Sequence, residues 1–173
     1  MKRLFTIDLK DYDPNGKKFY RPSVRGIIFD KDGNLAMAYS EKYHYYKFPG
    51  GGIEDGETHI EALTREIKEE TGLALIPESV KEFGEVLRMQ NKNEAGEDII
   101  FVQYNYYYTC EVEHEVGEQD LDDSEKEAGF ALKFVPIDEA IAANSAFRGS
   151  SMKQQMVERE KRVLEIIKDS RKI

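Results

Sequence analysis

The sequence has no tryptophan, one cysteine, five prolines and no apolar run of membrane-spanning length. Cys110 has no partner for an internal disulfide, which fits a reducing compartment. A spanning helix needs about 20 consecutive apolar residues and finds none here. The opening Met1-Lys2-Arg3-Leu4-Phe5-Thr6-Ile7-Asp8 breaks too early for a secretory signal. A cytoplasmic protein with no membrane association is expected. Positive charge is also in short supply, with 25 Lys and Arg against 34 Asp and Glu and a net charge of −9. Binding a nucleic-acid polymer relies on Lys and Arg neutralising phosphates, so such a partner is not expected. Small anionic substrates stay open, because a bound divalent cation reverses the local field. Most of the carboxylates read as ordinary solvated surface.

What is present suits one globular unit. A chain of 173 residues, 40 % hydrophobic, can bury a sizeable core but hardly two. Residues 1–173 show no repeat, linker or low-complexity stretch and are read as a single domain. An extended segment, Leu4 to Leu9, ends at Asp13-Pro14-Asn15-Gly16. Val24 to Phe29 reads as a strand, Lys31-Asp32-Gly33-Asn34 as a hairpin turn, and Leu35 to Tyr39 as the returning strand. Regular structure must stop at Phe48-Pro49-Gly50-Gly51-Gly52.

The best-marked helix follows. Thr58 and Glu61 have capping-box spacing, Gly72 suits a left-handed C-terminal residue, and Ile60, Leu63 and Ile67 form a stripe that can be buried. Phe83 to Met89 and Ile99 to Cys110 read as two strands, joined by a polar loop, Gln90 to Asp98, that contains Gly96. An acidic loop, Glu111 to Glu127, leads to a short strand at Leu132 to Val135 and a helix opening at Pro136. From about residue 152 to 173, Met156, Val163, Leu164 and Ile167 predict an amphipathic helix packed on the body, with a homodimer surface as its other use. Strands mixed with helices predict an α/β (α+β) architecture, a mixed sheet flanked by helices on both faces.

Residues 51–73 read GGIEDGETHIEALTREIKEETGL. Glu66, Glu69 and Glu70 are three and four positions apart on a helix and are expected to project to one side, about a quarter-turn from the apolar stripe. Unpartnered like charges at that spacing repel by roughly 0.2–0.5 kcal/mol per pair. A hard divalent cation removes the repulsion and takes carboxylate oxygens as ligands; Mg²⁺ also keeps waters and accepts substrate phosphates. A solvated acidic face salted by Lys68 would look the same without the rest of the pattern.

That pattern, G-x5-E-x7-R-E-U-x-E-E-x-G-U with U a bulky apolar residue, is met without departure by Gly51, Glu57, Arg65, Glu66, Ile67, Glu69, Glu70, Gly72 and Leu73. It resembles the Nudix box of the Nudix hydrolases, and the lead-in Phe48-Pro49-Gly50 and the later Phe134-Val135-Pro136-Ile137-Asp138-Glu139-Ala140 run extend the likeness over most of residues 20–142. The resemblance implies an α/β/α sandwich and Mg²⁺-dependent hydrolysis of a pyrophosphate bond in a nucleoside diphosphate linked to another group, with Mn²⁺ as a substitute ion. The metal ligands it implies are Glu66, Glu69, Glu70 and the Gly50 carbonyl, and Glu57 and Arg65 would support loop and helix by ion pairing. Family members differ in which carboxylate is the general base. Here the later acidic loop offers Glu125 and Glu127, and Glu127 is the first choice.

Substrate contacts are less marked. Tyr45, just before the glycine loop, and Tyr104, on a strand with Tyr106 and Tyr108, could stack on a base; Arg25 and Lys47 could meet phosphates. Tyrosine is also simply a good strand former. Met89-Gln90-Asn91 carries neither the proline of ADP-ribose hydrolases nor the tyrosine of diadenosine polyphosphate hydrolases, so the substrate stays generic, an oxidised nucleoside triphosphate included. A catalytically silent nucleotide sensor is the alternative, disfavoured because every box glutamate is present.

Overall fold

In a computed structural model, residues 1–92 and 98–171 are described. Gly96, expected in the loop after the first long strand, lies outside them, whereas Gln90 and Asn91 belong to the strand itself. The strands are β1 Arg3–Asp8, β2 Lys17–Tyr20, β3 Ser23–Ile27, β4 Leu35–Ser40, β5 Tyr46–Lys47, β6 Leu73–Leu75, β7 Lys81–Asn91, β8 Ile99–Thr109, β9 Val112–Val116 and β10 Phe130–Val135. The helices are α1 His59–Thr71, α2 Asp123–Ala128, α3 Ile137–Ala146 and α4 Ser151–Ser170.

The long β8 organises the main sheet. One edge pairs antiparallel with β7, which carries β1 parallel on its far side. The other edge takes β2 and then β3, both parallel. A second, antiparallel sheet has the order β10-β4-β5, and β6 pairs with β9. The predicted hairpin exists locally, with Ala36 donating to the Ile28 carbonyl and Asp30 to that of Asn34, but its two strands go to different sheets.

Every residue of β3 is buried because both faces are covered. Alternation sends Val24 and Ile28 toward α1 with Leu63 and Ile67, and Ile27 toward α4 with Val163, Leu164 and Ile167. The result is an α/β/α sandwich. No helix among the described residues is long and apolar enough to cross a membrane.

The apolar face of α1 differs from the expected stripe. Ala62, Leu63 and Ile67 are fully buried, but Ile60, in the first turn, is 44 % exposed. Its place on that face is taken by Glu70. Seven residues beyond Leu63, close to two full turns, Glu70 lies over the same stripe and is 1 % exposed. The three box glutamates therefore do not share one solvated face. Glu69 is partly exposed, Glu66 mostly covered and Glu70 interior.

Candidate active site

Backbone geometry fixes the glycine loop. Gly50 sits at φ 139°, and a Cβ there would strike the Val24 carbonyl, so no other residue fits without displacing β3. A Cβ on Gly51 would fall onto the Glu66 carboxylate, so loop and helix are in direct apposition. α1 is set by a complete capping box between Thr58 and Glu61 and by Gly72 at φ 75°. Arg65 then ties helix to loop. Its Nε and Nη2 grip both Glu57 oxygens at 2.8 and 2.9 Å, and Nη2 also reaches the Gly52 carbonyl at 3.0 Å. Nη1 meets Glu66 at 2.7 Å and Glu69 at 3.3 Å.

Glu70 faces inward, where its carboxylate accepts from the Gly50 amide at 3.0 Å and from Lys47 Nζ at 2.5 Å. Burial pushes its pKa up to about 7, against the opposing pull of Lys47 and Arg25, and a hydrogen bond to Glu125 raises it further. Burial also works to raise Glu125. The hydrogen bond from Glu70 and the Lys47 charge outweigh that and leave Glu125 below the usual carboxylate range. Arg25 Nη1 donates to the Gly50 carbonyl.

Of the two acidic-loop candidates, the structure turns Glu125 toward Glu70 and Lys47, as the third residue of α2 within a capping box formed with Asp122. Glu127 points outward and pairs with Lys42 at 2.6 Å. Two residues on a helix are separated by 200°, so the loop cannot aim both at one point.

Beside this cluster opens a cavity of ≈ 560 Å³, reached by Arg25, Tyr45, Lys47, Glu125 and Glu127. Glu70 adjoins this cavity through Lys47, which lines it. Tyr45 packs edge-on against Phe130 and Phe147, its rings 5.9 and 5.2 Å away. Tyr104 does not reach the cavity: even-numbered residues of β8 face the opposite side, where Tyr104 stacks on Tyr106 at 6.3 Å.

A family model described as the NUDIX domain matches residues 19–156. The chain belongs to the Nudix family. Among curated proteins, an RNA pyrophosphohydrolase of Stenotrophomonas maltophilia (strain K279a) is 40 % identical over 72 residues, 42 % of this chain and 32 % of that protein. One from Aeromonas hydrophila subsp. hydrophila is 43 % identical over 61 residues, 35 % of this chain and 34 % of that protein. The matched stretch thus spans about a third of the length of these relatives. A solved structure described as a NUDIX hydrolase from Nitrosomonas europaea shares the fold at 20 % identity and TM-score 0.55, covering 81 % of this chain and 87 % of that one.

The Nudix family implies a divalent metal, and the donors here suit one chemically. Carboxylates and the Gly50 carbonyl form an all-oxygen set on two apposed segments. Yet no three His, Cys, Asp or Glu side chains among the described residues converge in a metal-holding arrangement. Glu66 and Glu69 turn to Arg65, and Glu70 turns to Lys47. Cations of the chain itself balance each ligand.

Sequence reasoning missed the polar floor of the Nudix cavity. On β7, alternation points Val86, Arg88 and Gln90 inward, and on β8 it points Gln103, Asn105 and Tyr107 inward. From α4, Arg159 and Glu160 meet them, fully buried. Arg159 bonds Gln103 at 3.0 Å and Asn105 at 2.5 Å, and Glu160 accepts from Tyr107 at 2.9 Å and from the Phe48 amide at 2.7 Å. The available signal was polar residues two apart in each strand, Arg88 and Gln90 in β7 and Gln103 and Asn105 in β8.

Proposed function

We propose that the protein hydrolyses a pyrophosphate bond in a nucleoside diphosphate linked to another group, with Mg²⁺, or Mn²⁺ in its place, held by Glu66, Glu69, Glu70 and the Gly50 carbonyl. The observation that carries this reading is Glu70. It is an interior carboxyl on the Gly50 amide, one helical turn from Glu66, placed where Lys47 and Arg25 adjoin an open cavity. When bound, the ion neutralises phosphate oxygens and makes water a better nucleophile. Lys47 and Arg25 would then leave the ligand oxygens and turn to the substrate's phosphates. Glu125, which lies beside Glu70 and Lys47, takes the place of Glu127 as general base. Glu57 and Arg65 hold the glycine loop against α1, and Tyr45 lines the nucleoside side of the cavity.

A second substrate reading comes from the relatives named RNA pyrophosphohydrolases. A 5′-triphosphate RNA end presents the same anhydride. The net charge of −9 argues against tight binding of the polymer behind it. A Mg²⁺-dependent screen over canonical and oxidised nucleoside triphosphates, nucleotide sugars, ADP-ribose, dinucleotides and 5′-triphosphate RNA separates these substrates. Hydrolysis that falls by orders of magnitude in Glu70→Gln, with the fold intact, is the expected result. Tight nucleotide binding without turnover of any compound would identify a sensor instead.

A further inference from the structure

The cavity floor holds more positive charge than the chain balances. Arg25, Lys47, Arg88 and Arg159 line it, and none is more than 9 % exposed. The buried carboxylates beside them are Glu70 and Glu160. Glu125 adds a third, partly exposed. Lys47 and Arg159 spend their charge on these carboxylates. Arg25 gives Nη1 to the Gly50 and Phe48 carbonyls, while its Nε has no hydrogen-bond partner among the described residues.

Arg88 is the outlier. It is 3 % exposed, its Nε has no hydrogen-bond partner among the described residues, and its guanidinium meets the Met152 sulfur at 3.7 Å and the Phe101 ring at 5.0 Å. An unpaired buried guanidinium is expensive, and in a chain of net charge −9 a carboxylate for it would be easy to supply. Met would fill the same space without that penalty.

We propose that Arg88, with Arg25 beside it, forms an anion subsite on the cavity floor that binds a phosphoryl group of the substrate other than the one at the scissile bond. This rests on reading the cavity as the substrate site. A guanidinium fork suits a phosphate because it can donate two parallel hydrogen bonds, and here it would do so out of water's reach. The inference narrows the substrate: its part lying in this cavity is itself charged, as in a nucleotide carrying a further phosphate away from the anhydride, whereas an unmodified nucleoside leaves Arg88 unpaired.

The test uses inorganic phosphate as probe, in EDTA and at constant ionic strength, on the whole chain. Phosphate should raise the melting temperature of the natural protein, and Arg88→Met should weaken the fitted affinity at least about tenfold. The variant itself should be no less stable without phosphate, because an unmatched buried charge has gone. Arg88→Lys, which keeps the charge and loses the fork, should lie between the two and serves as the test if the Met variant does not fold. Unchanged phosphate affinity in these variants would overturn the subsite. So would Arg88-dependent stabilisation by uncharged guanosine without any by phosphate, which would assign the floor to a base carbonyl. None of these readouts needs turnover. A failed hydrolysis screen with Arg88-dependent phosphate binding leaves the subsite standing, and normal turnover with Arg88-independent binding removes the subsite alone.

Discussion

Glu70 is held by opposing forces. Burial favours its neutral form and Lys47 its charged form, and the balance leaves it titrating at about 7. In the unfolded chain it would titrate near 4.3. Between those values the folded protein holds a proton that the unfolded chain has lost, so the contribution of Glu70 to stability is full below about pH 4 and declines as pH rises toward 7. Denaturant titrations in EDTA should show this decline, and Glu70→Gln should flatten it; a wild-type slope persisting in the mutant would place the titrating group elsewhere. The same residue explains what was legible. Its position in the box was plain from spacing, but its burial was not, because helical angle alone does not tell which of several neighbouring glutamates the sheet will cover. Arg159 and Glu160 were still less legible, since two adjacent charges on a charged helix read as surface. Glu160→Gln should destabilise by about 3–5 kcal/mol by chemical denaturation, because it strips Arg159 of its buried counter-charge. A loss under 1 kcal/mol would mean that water reaches the pair.

Among the elements, α1 was readable to within a residue at both ends because its stop signals are local. Thr58, Glu61 and Gly72 act through their own backbone. Thr58→Ala should cost about 0.5–2 kcal/mol. Gly72→Ala should cost more, since φ 75° disfavours a side chain and a Cβ there would strike the Gly117 carbonyl. Equal losses in the two variants would deny the second contact. Strand β8 was legible from its β-branched and aromatic content, and β7 over Phe83 to Met89. β2, β5 and β6 were not. They have four, two and three residues, and partners up to 82 positions away decide them, not local preference. The acidic stretch from Glu111 hid β9 and α2 because its charge pattern resembles a loop, and the Asp122–Glu125 capping box was the overlooked sign.

At the scale of the molecule, the layered architecture followed from counting strands and helices, but the cavity did not. Its walls come from β3, β5, β7, β8, β10, α2 and α4, and only the assembled sandwich brings Arg25, Arg88 and Arg159 together. The proposed single domain over residues 1–173 predicts one cooperative transition by calorimetry, shifted upward by Mg²⁺ by about 2.7 kcal/mol at a hundredfold excess over its dissociation constant. Two separate transitions would divide the domain, and an unmoved single transition would count against the metal site. The bond from Phe48 to Glu160 has a consequence in time. It joins the residue that leads into the glycine loop to one made 112 positions later. On a ribosome adding about 5–20 residues per second, the loop exists for on the order of ten seconds before its anchor is synthesised. A nascent chain can therefore form α1 and its capping box early, yet it acquires a set glycine loop only after α4 has cleared the exit tunnel.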